Sequence, residues 1–333
     1  MLLFAGDIGG TNTRLGIFSW DKGFRTPLHE ATYRSTDYAS LEEVCADFLP
    51  STQVTVAGGV FGVAGPVGES RIRLTNLPWV IDRDSLASKL SLPRLVVLND
   101  LEAIAFGIDV LTKNDLKKIS STGAIKPHGT RAILAPGTGL GQAFMTWDGS
   151  RYRTHPSEGG HGDFAPGNER ERALLAYLLR RFDRVSWERV CSGSAIPAIY
   201  EFLKDEGYCV EPERLAEKRA GAEDMTALIL TTAVHDVHPP DICRETLHMF
   251  LSILGAQAGN LALTLIPTGG LYLGGGIIPR IADSLEEGPF MDAFLSKGRL
   301  APLLATIPVI IILDEKVALW GAARRGFELM AGG

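Results

Sequence analysis

The chain has 333 residues, of which 45% are hydrophobic and 22% are charged, and its formal net charge is −6. This length exceeds what one core usually holds, so the composition predicts a globular protein of two domains. An acidic balance argues against a nucleic-acid or membrane-surface partner, because both need a concentrated basic face, and we therefore expect a small-molecule ligand.

The beginning of the chain and the cysteine pattern indicate a cytoplasmic protein. The segment MLLFAGD lacks the basic region of a signal peptide, and we interpret it as the first strand of the fold. The apolar stretches at residues 250–266 and 300–313 are interrupted by polar residues or prolines and are too short to span a bilayer. Four scattered cysteines lack the spacing of a zinc site or a disulfide framework, and we expect reduced thiols at Cys45, Cys191, Cys209 and Cys243.

The first motif is a glycine-rich turn between two apolar runs. Residues 2–8 and 13–19 predict strands that flank Gly9 and Gly10. Glycines let backbone N–H groups approach a phosphate, and Thr11, Asn12 and Thr13 add side-chain donors. Asp7, at the entrance of the turn, can hold Mg²⁺ through water. An ordinary tight hairpin is the alternative.

Two further strands are predicted before a pair of polar residues. The runs at residues 54–63 and 95–98 alternate with helical stretches such as residues 41–49, which is the pattern of an α/β domain. Asn99 and Asp100 follow the second of these runs. They could simply cap the next helix. Alternatively, Asp100 could accept the proton of a substrate hydroxyl at the edge where α/β folds bind ligands.

A second strand, glycine turn and strand follow at residues 132–147. The turn contains Gly137, Thr138 and Gly139, and it repeats the arrangement at the beginning of the chain. This repetition indicates an internal duplication with a second phosphate-binding turn. A dinucleotide-binding turn is excluded, because strand-like residues follow where that motif needs a helix.

The next motif, residues 157–163, is too rich in glycine to be helical. It carries Glu158 and His161 on a loop that can fold around a ligand, and such side chains can bind the vicinal hydroxyls of a sugar. An ordinary exposed loop is the alternative. Glu188 has no signal of its own, and its surroundings predict a solvated helix residue.

The last part of the chain is rich in helices. Apolar spacing predicts helices at residues 169–182, 195–204 and 247–265. A short strand then ends in Gly274, Gly275 and Gly276 before a helix near Pro279, a junction that directs N–H groups towards an anion or a nucleotide. A buried strand at residues 308–313 and a final helix at 316–329 complete the pattern.

Taken together, these motifs resemble the bacterial ATP-dependent glucokinases of the non-ROK group, within the superfamily of hexokinase, actin and the heat-shock ATPases. Five segments carry the resemblance in the family's order over nearly the whole length: DIGGTNTR, LNDLEA, PGTGLG, SEGGHGDFAP and LGGGIIPR. It implies an α/β fold of the duplicated ribonuclease-H-like, actin-like ATPase type, with two domains flanking a cleft. The small domain would comprise residues 1–108 plus 314–333, and the large, helix-rich domain residues 109–313.

The resemblance also implies the reaction and its residues. ATP would phosphorylate glucose to glucose 6-phosphate, the first step of glycolysis, with Asp100 as the general base and Mg²⁺ near Asp7. Glucose would contact Asn99, Asp100, Glu158, His161 and Glu188. ATP would contact Asp7, Gly9, Gly10, Thr11, Asn12, Thr13, Gly137, Thr138, Gly139, Gly274, Gly275 and Gly276. The family also suggests a homodimer.

The sequence departs from the family's pattern at one place and leaves two alternative functions. Ser194 stands where a further glycine is expected after Gly193. A ROK-type sugar kinase or repressor shares the fold but would carry a cysteine-rich zinc motif. An actin-like filament protein or chaperone ATPase should lack the sugar loop at residues 157–163.

Overall fold

The computed structural model describes residues 1–65, 67, 71–74, 77–119, 122–286 and 288–331. The chain divides into two compact units. Unit 1 contains Met1–Asp115, Thr154–Pro156 and the chain from Asp314 onwards. Unit 2 contains Leu116–Arg153 and Ser157–Leu313.

The strands of the described chain are β1 (Leu2–Ile8), β2 (Asn12–Ser19), β3 (His29–Arg34), β4 (Gly59–Val63), β5 (Arg71–Arg73), β6 (Val80–Asp82), β7 (Leu95–Asn99), β8 (Leu116–Lys118), β9 (Arg131–Pro136), β10 (Leu140–Trp147), β11 (Tyr152–Ser157), β12 (Leu271–Leu273) and β13 (Val309–Ile312). The α-helices are α1 (Leu41–Thr52), α2 (Arg83–Lys89), α3 (Asp100–Ile108), α4 (Glu169–Leu178), α5 (Trp187–Val190), α6 (Ala195–Asp205), α7 (Glu213–Ala220), α8 (Met225–His235), α9 (Asp241–Leu265), α10 (Pro289–Leu295), α11 (Ala301–Ala305) and α12 (Val317–Ala331).

Each unit is built on a mixed sheet, and both sheets begin in the same way. The first has the order β3-β2-β1-β4-β7, and the second has the order β11-β10-β9-β12-β13-β8. In the first, β1 forms an antiparallel hairpin with β2 and pairs in parallel with β4. In the second, β9 forms an antiparallel hairpin with β10 and pairs in parallel with β12. The fold is therefore a mixed α/β fold in which both sheets contain an antiparallel hairpin beside a parallel strand.

The strand register places the predicted motifs at matching sheet edges. In unit 1, Ile8 pairs with Val63, and Val63 pairs with Asn99. The turn after β1 and the start of α3 therefore lie at the same edge, because the carboxyl ends of parallel strands meet there. In unit 2, Leu273 pairs with Leu134, so the glycines after β12 and the turn after β9 also share an edge.

Several boundaries differ from those predicted. Residues 54–58 are not a strand: Ala57 and Gly58 form isolated backbone bonds with β1, and the regular ladder begins only at Gly59. Helix α4 ends at Leu178, beyond which the chain turns with short-range bonds such as that from Arg181 N to Leu178 O, 2.9 Å. The helix after Gly276 is a 3₁₀ helix, Ile278–Leu285. The loop at residues 157–163 contains a further 3₁₀ turn, Gly159–His161.

Helix α3, which begins with Asp100, packs against α12 through glycines. A Cβ atom on Gly321 would overlap the carbonyl oxygen of Ala103, and one on Gly107 would overlap that of Val317. Neither glycine has a positive φ, so close approach, not backbone conformation, explains them. This contact fixes the position of α3 and hence of its first residue.

We expect Gly321→Ala to lower the free energy of unfolding by about 1–3 kcal/mol. Alanine in a helix interior is normally more stable than glycine by about 1 kcal/mol. Here the added methyl group meets backbone atoms that cannot rotate away, so the steric effect decides the sign. Urea denaturation measures the change. Gly221→Ala is the matched control, because Gly221 has a φ of −103° and no heavy atom within 4 Å of an added Cβ. Equal midpoints for the two variants would contradict the prediction.

Candidate active site

The first predicted phosphate turn, residues 9–12 in unit 1, is closed by hydrogen bonds. Gly9 N donates to Asn12 O at 2.9 Å, while Ser35 Oγ donates to Gly9 O at 2.8 Å. Thr13 is fully buried, and its hydroxyl lies 2.9 Å from that of Ser35. Thr11 is exposed. Thr13 and Ser35 therefore stabilise the turn from its buried side. No local sequence signal singles out Ser35.

Asp7 lies opposite Arg14 across the hairpin of β1 and β2. Arg14 Nη1 lies 3.3 Å from Asp7 Oδ2, and Arg14 Nη2 lies 2.7 Å from Glu315 Oε2. Burial raises the pKa of the Asp7 carboxyl, and the neighbouring Arg14 opposes that rise. Asp7 offers carboxylate oxygens, the kind of ligand that Mg²⁺ prefers.

Asn99 is the N-cap of α3, which bears out the capping interpretation. Its Oδ1 accepts a hydrogen bond from Leu101 N at 2.9 Å, and its Nδ2 donates to Gly65 O at 3.1 Å. Glu102 completes a capping box by accepting from Asn99 N at 3.2 Å. Asp100 is half-buried and accepts from Leu101 N through Oδ1 at 2.9 Å. Capping and a catalytic role are compatible, because the cap itself fixes Asp100 at the sheet edge.

The second phosphate turn, in unit 2, is also closed by backbone bonds. Gly137 N donates to Gly139 O at 2.8 Å, and Gly193 N donates to Gly137 O at 2.7 Å. Ser194, the departure from the family's pattern, places its hydroxyl 2.9 Å from that of Ser192. With serine at position 194, Gly193 still contacts the turn through its backbone N–H group.

Two glycines in the predicted nucleotide segments have open space where a side chain would lie. A Cβ atom on Gly137 or Gly276 would meet nothing within 4 Å, and neither residue has a positive φ. Gly275, next to Gly276, has a φ of +85°, and an added Cβ would lie 2.6 Å from Pro136 O. Gly275 is thus explained by the protein itself, whereas Gly137 and Gly276 leave open space beside the backbone.

Two side chains of the sugar loop, Glu158 and His161, lie near Glu188 of α5. His161 Nε2 lies 3.7 Å from Glu158 Oε2, and His161 Nδ1 lies 4.0 Å from Glu188 Oε1. The exposed fractions of these side chains are 76% for Glu158, 49% for His161 and 28% for Glu188. Two carboxylates and one imidazole can accept or donate several hydrogen bonds, as recognition of a polyhydroxylated ligand needs.

The expectation that Glu188 is a solvated helix residue is wrong. Its Oε2 accepts a hydrogen bond from Leu140 N at 3.0 Å. The short helix α5 is held by its first residue, Trp187, which is 6% exposed and packs edge-on against Phe164. Because these partners are distant in sequence, only the family resemblance pointed to Glu188.

The four cysteines are free, and three of them, Cys45, Cys191 and Cys243, are buried. Burial raises the pKa of each of these three thiols. In the part of the chain that the structure describes, no group of three or more His, Cys, Asp and Glu side chains could hold a metal ion. The helices described here include none that is long and apolar enough to cross a membrane.

Comparison with known proteins gives consistent results. Residues 4–327 match the family model described as Glucokinase. The glucokinase of Nostoc sp. (strain PCC 7120) is 42% identical over 337 residues, which cover 97% of this chain and 98% of that protein. The crystal structure of a glucokinase from an Antarctic psychrotroph has a TM-score of 0.76 at 28% identity and covers 98% of this chain and 99% of its own.

A more distant structure shares the fold alone. A ROK family glucokinase from Streptomyces griseus, solved in complex with glucose and AMPPNP, has a TM-score of 0.68 at 21% identity. The alignment covers 100% of both chains.

Proposed function

This chain belongs to the glucokinase family and phosphorylates glucose with ATP, and we propose that Asp100 is the general base of the reaction. The prediction of this family from five sequence motifs is confirmed. The γ-phosphoryl group of ATP passes to the 6-hydroxyl of glucose, which must lose its proton as it attacks. Phosphoryl transfer of this kind depends mainly on positioning and charge stabilisation, and an aspartate commonly takes the hydroxyl proton.

One observation above all supports Asp100 in this role: the strand register in unit 1. Ile8 and Asn99 are in register through Val63, so Asp100 lies at the same sheet edge as the first phosphate turn. Its position as the first residue of α3 also stabilises a carboxylate, because the helix N-terminus carries partial positive charge.

We propose that Glu158, His161 and Glu188 bind the other hydroxyls of glucose. The distances among them, 3.7 and 4.0 Å, leave each carboxylate able to accept from a hydroxyl beside the imidazole. Asn99 contributes through Oδ1, which has two lone pairs and uses one for Leu101 N.

For ATP, we propose phosphate contacts from Gly9, Gly10, Thr11 and Asn12 in unit 1, and from Gly137, Thr138 and Gly139 in unit 2. Thr13 acts by holding the first turn, and Gly274, Gly275 and Gly276 lie against adenosine. The register of β9 with β12 supports this assignment, because it places the glycines after β12 at the same sheet edge as the turn after β9. Mg²⁺ is proposed near Asp7 through water, because Mg²⁺ keeps most of its ligands as water and phosphate oxygens and needs only one or two carboxylates.

Gly276→Ala is expected to raise the KM for ATP by about tenfold, with little change in the KM for glucose, because the added methyl group would take space meant for the nucleotide. Steady-state kinetics with each substrate varied separately measures both constants. Gly221→Ala again serves as the control. An unchanged KM for ATP in both Gly276→Ala and Gly137→Ala would exclude nucleotide from this space.

We also propose that the two sheets are copies of one ribonuclease-H-like unit and form the two domains. Their shared hairpin and parallel strand support the duplication. The compact units divide after Asp115 and before Asp314, near the domain limits proposed from the sequence, 1–108 plus 314–333 and 109–313. The family relationship favours a cytoplasmic location and a homodimer. Light scattering would test the homodimer.

A coupled assay of glucose-dependent ADP release tests the function directly. Mannose and fructose as acceptors, with polyphosphate and ADP as donors, define the specificity. We expect ATP and glucose to support the fastest turnover. ATP hydrolysis that is indifferent to glucose would instead favour a chaperone or filament ATPase.

A further inference from the structure

Glu188 contacts the second phosphate turn as well as the sugar loop. Its Oε2 accepts a hydrogen bond from Leu140 N at 3.0 Å, and Leu140 directly follows Gly139. A bond from a backbone N–H group to a carboxylate is charge-assisted and stronger than a neutral one. The carboxylate therefore fixes the end of the turn.

The glycines of this turn have different reasons to be glycine. A Cβ atom on Gly139 would overlap the Glu188 carboxylate, whereas one on Gly137 would meet no protein atom within 4 Å. A side chain at position 139 would therefore displace the Glu188 carboxylate from its present position. An added Cβ on Gly137 would face open space.

The same short helix is attached to the sugar loop. Trp187 N donates to Gly162 O at 2.9 Å, and Ser186 forms an isolated antiparallel bridge with Asp163. The second carboxylate oxygen of Glu188 lies 4.0 Å from His161 Nδ1. The Glu188 side chain thus lies next to both the second phosphate turn and the sugar loop.

We propose that Glu188 is a positioning residue for the second phosphate turn, in addition to its role towards glucose. Nucleotide affinity then depends on Glu188 even when no sugar is present. This inference rests on the proposed function, in which Gly137, Thr138 and Gly139 bind the phosphates of ATP.

Isothermal titration with Mg²⁺ and AMPPNP, without any sugar, tests the inference in the full chain. Glu188→Ala should weaken nucleotide binding by about five- to tenfold, less than the direct loss of a hydrogen bond to a charged group, because Glu188 acts on the nucleotide only through the turn. Glu188→Gln keeps an acceptor oxygen for Leu140 N and should stay within about twofold of the wild type. Glu169→Ala is the matched control, because Glu169 is a carboxylate of the same unit whose side chain is 89% exposed and pairs with Arg172 on its own helix. It should leave nucleotide binding unchanged.

Thermal unfolding of each variant shows whether the fold is retained. If Glu188→Ala does not fold, Glu188→Asp takes its place, since its shorter side chain cannot reach Leu140 N and should weaken binding similarly. Equal affinities for Glu188→Ala and Glu169→Ala would overturn the inference.

Gly137→Ala separates this failure from a failure of the proposed function. If Gly137→Ala weakens AMPPNP binding and Glu188→Ala does not, the turn binds phosphate and only the role of Glu188 is wrong. If Gly137→Ala also has no effect, the assignment of the turn to ATP fails, and the inference fails with it.

Discussion

Asp100→Asn is expected to lower kcat by about 10²- to 10⁴-fold while glucose binding stays largely intact. Asparagine has the same size and can still form a hydrogen bond with a hydroxyl group, but it cannot take the proton. Asparagine is also well tolerated at the start of a helix, so α3 should form as before. The coupled assay gives kcat, and isothermal titration gives the glucose affinity.

Asp82→Asn is the control for this substitution. Asp82 also lies between a strand and a helix of unit 1, where it caps α2 by accepting from Ser85 N at 3.0 Å. Its replacement should leave kcat unchanged. Retention of more than about a tenth of the wild-type kcat in Asp100→Asn would remove Asp100 from the mechanism.

Glu158→Gln is expected to raise the KM for glucose by roughly 10- to 100-fold, because glutamine lacks the negative charge and one of the two acceptor oxygens that can bind vicinal hydroxyls, and a hydrogen bond to a charged group contributes about 1.5–3 kcal/mol. The KM for ATP should change little, since in unit 2 the ion pair of Glu158 is with His161 and not with the phosphate turn. The side chain is 76% exposed, so stability should not change. Separate variation of glucose and ATP distinguishes the two constants.

Glu169→Gln is the matched control for the sugar loop. Glu169 belongs to the same unit, its side chain is 89% exposed, and it pairs with Arg172 on its own helix. Neither KM should respond to its replacement. If Glu158→Gln altered only the KM for ATP, the loop would belong to the nucleotide and not to the sugar.

The sequence by itself determined the features that depend on neighbouring residues. Strand β1 begins and ends where its apolar run predicts, at Leu2–Ile8. The turn at Gly9 and the cap at Asn99 followed from residue types, because turn and capping chemistry act within a few residues of chain. The family followed from five such local motifs in order.

The tertiary structure decided what depends on distant partners. Glu188 meets Leu140 N across 48 positions of sequence, and Arg14 meets Glu315 across 301. Ser35 supports a turn 26 residues before it. No periodicity or turn signal carries such information, since each contact exists only after sheets and helices have packed. For the same reason residues 54–58, although apolar in alternation, are not a strand: a strand needs a regular ladder with a neighbouring chain segment, and only the fold supplies it.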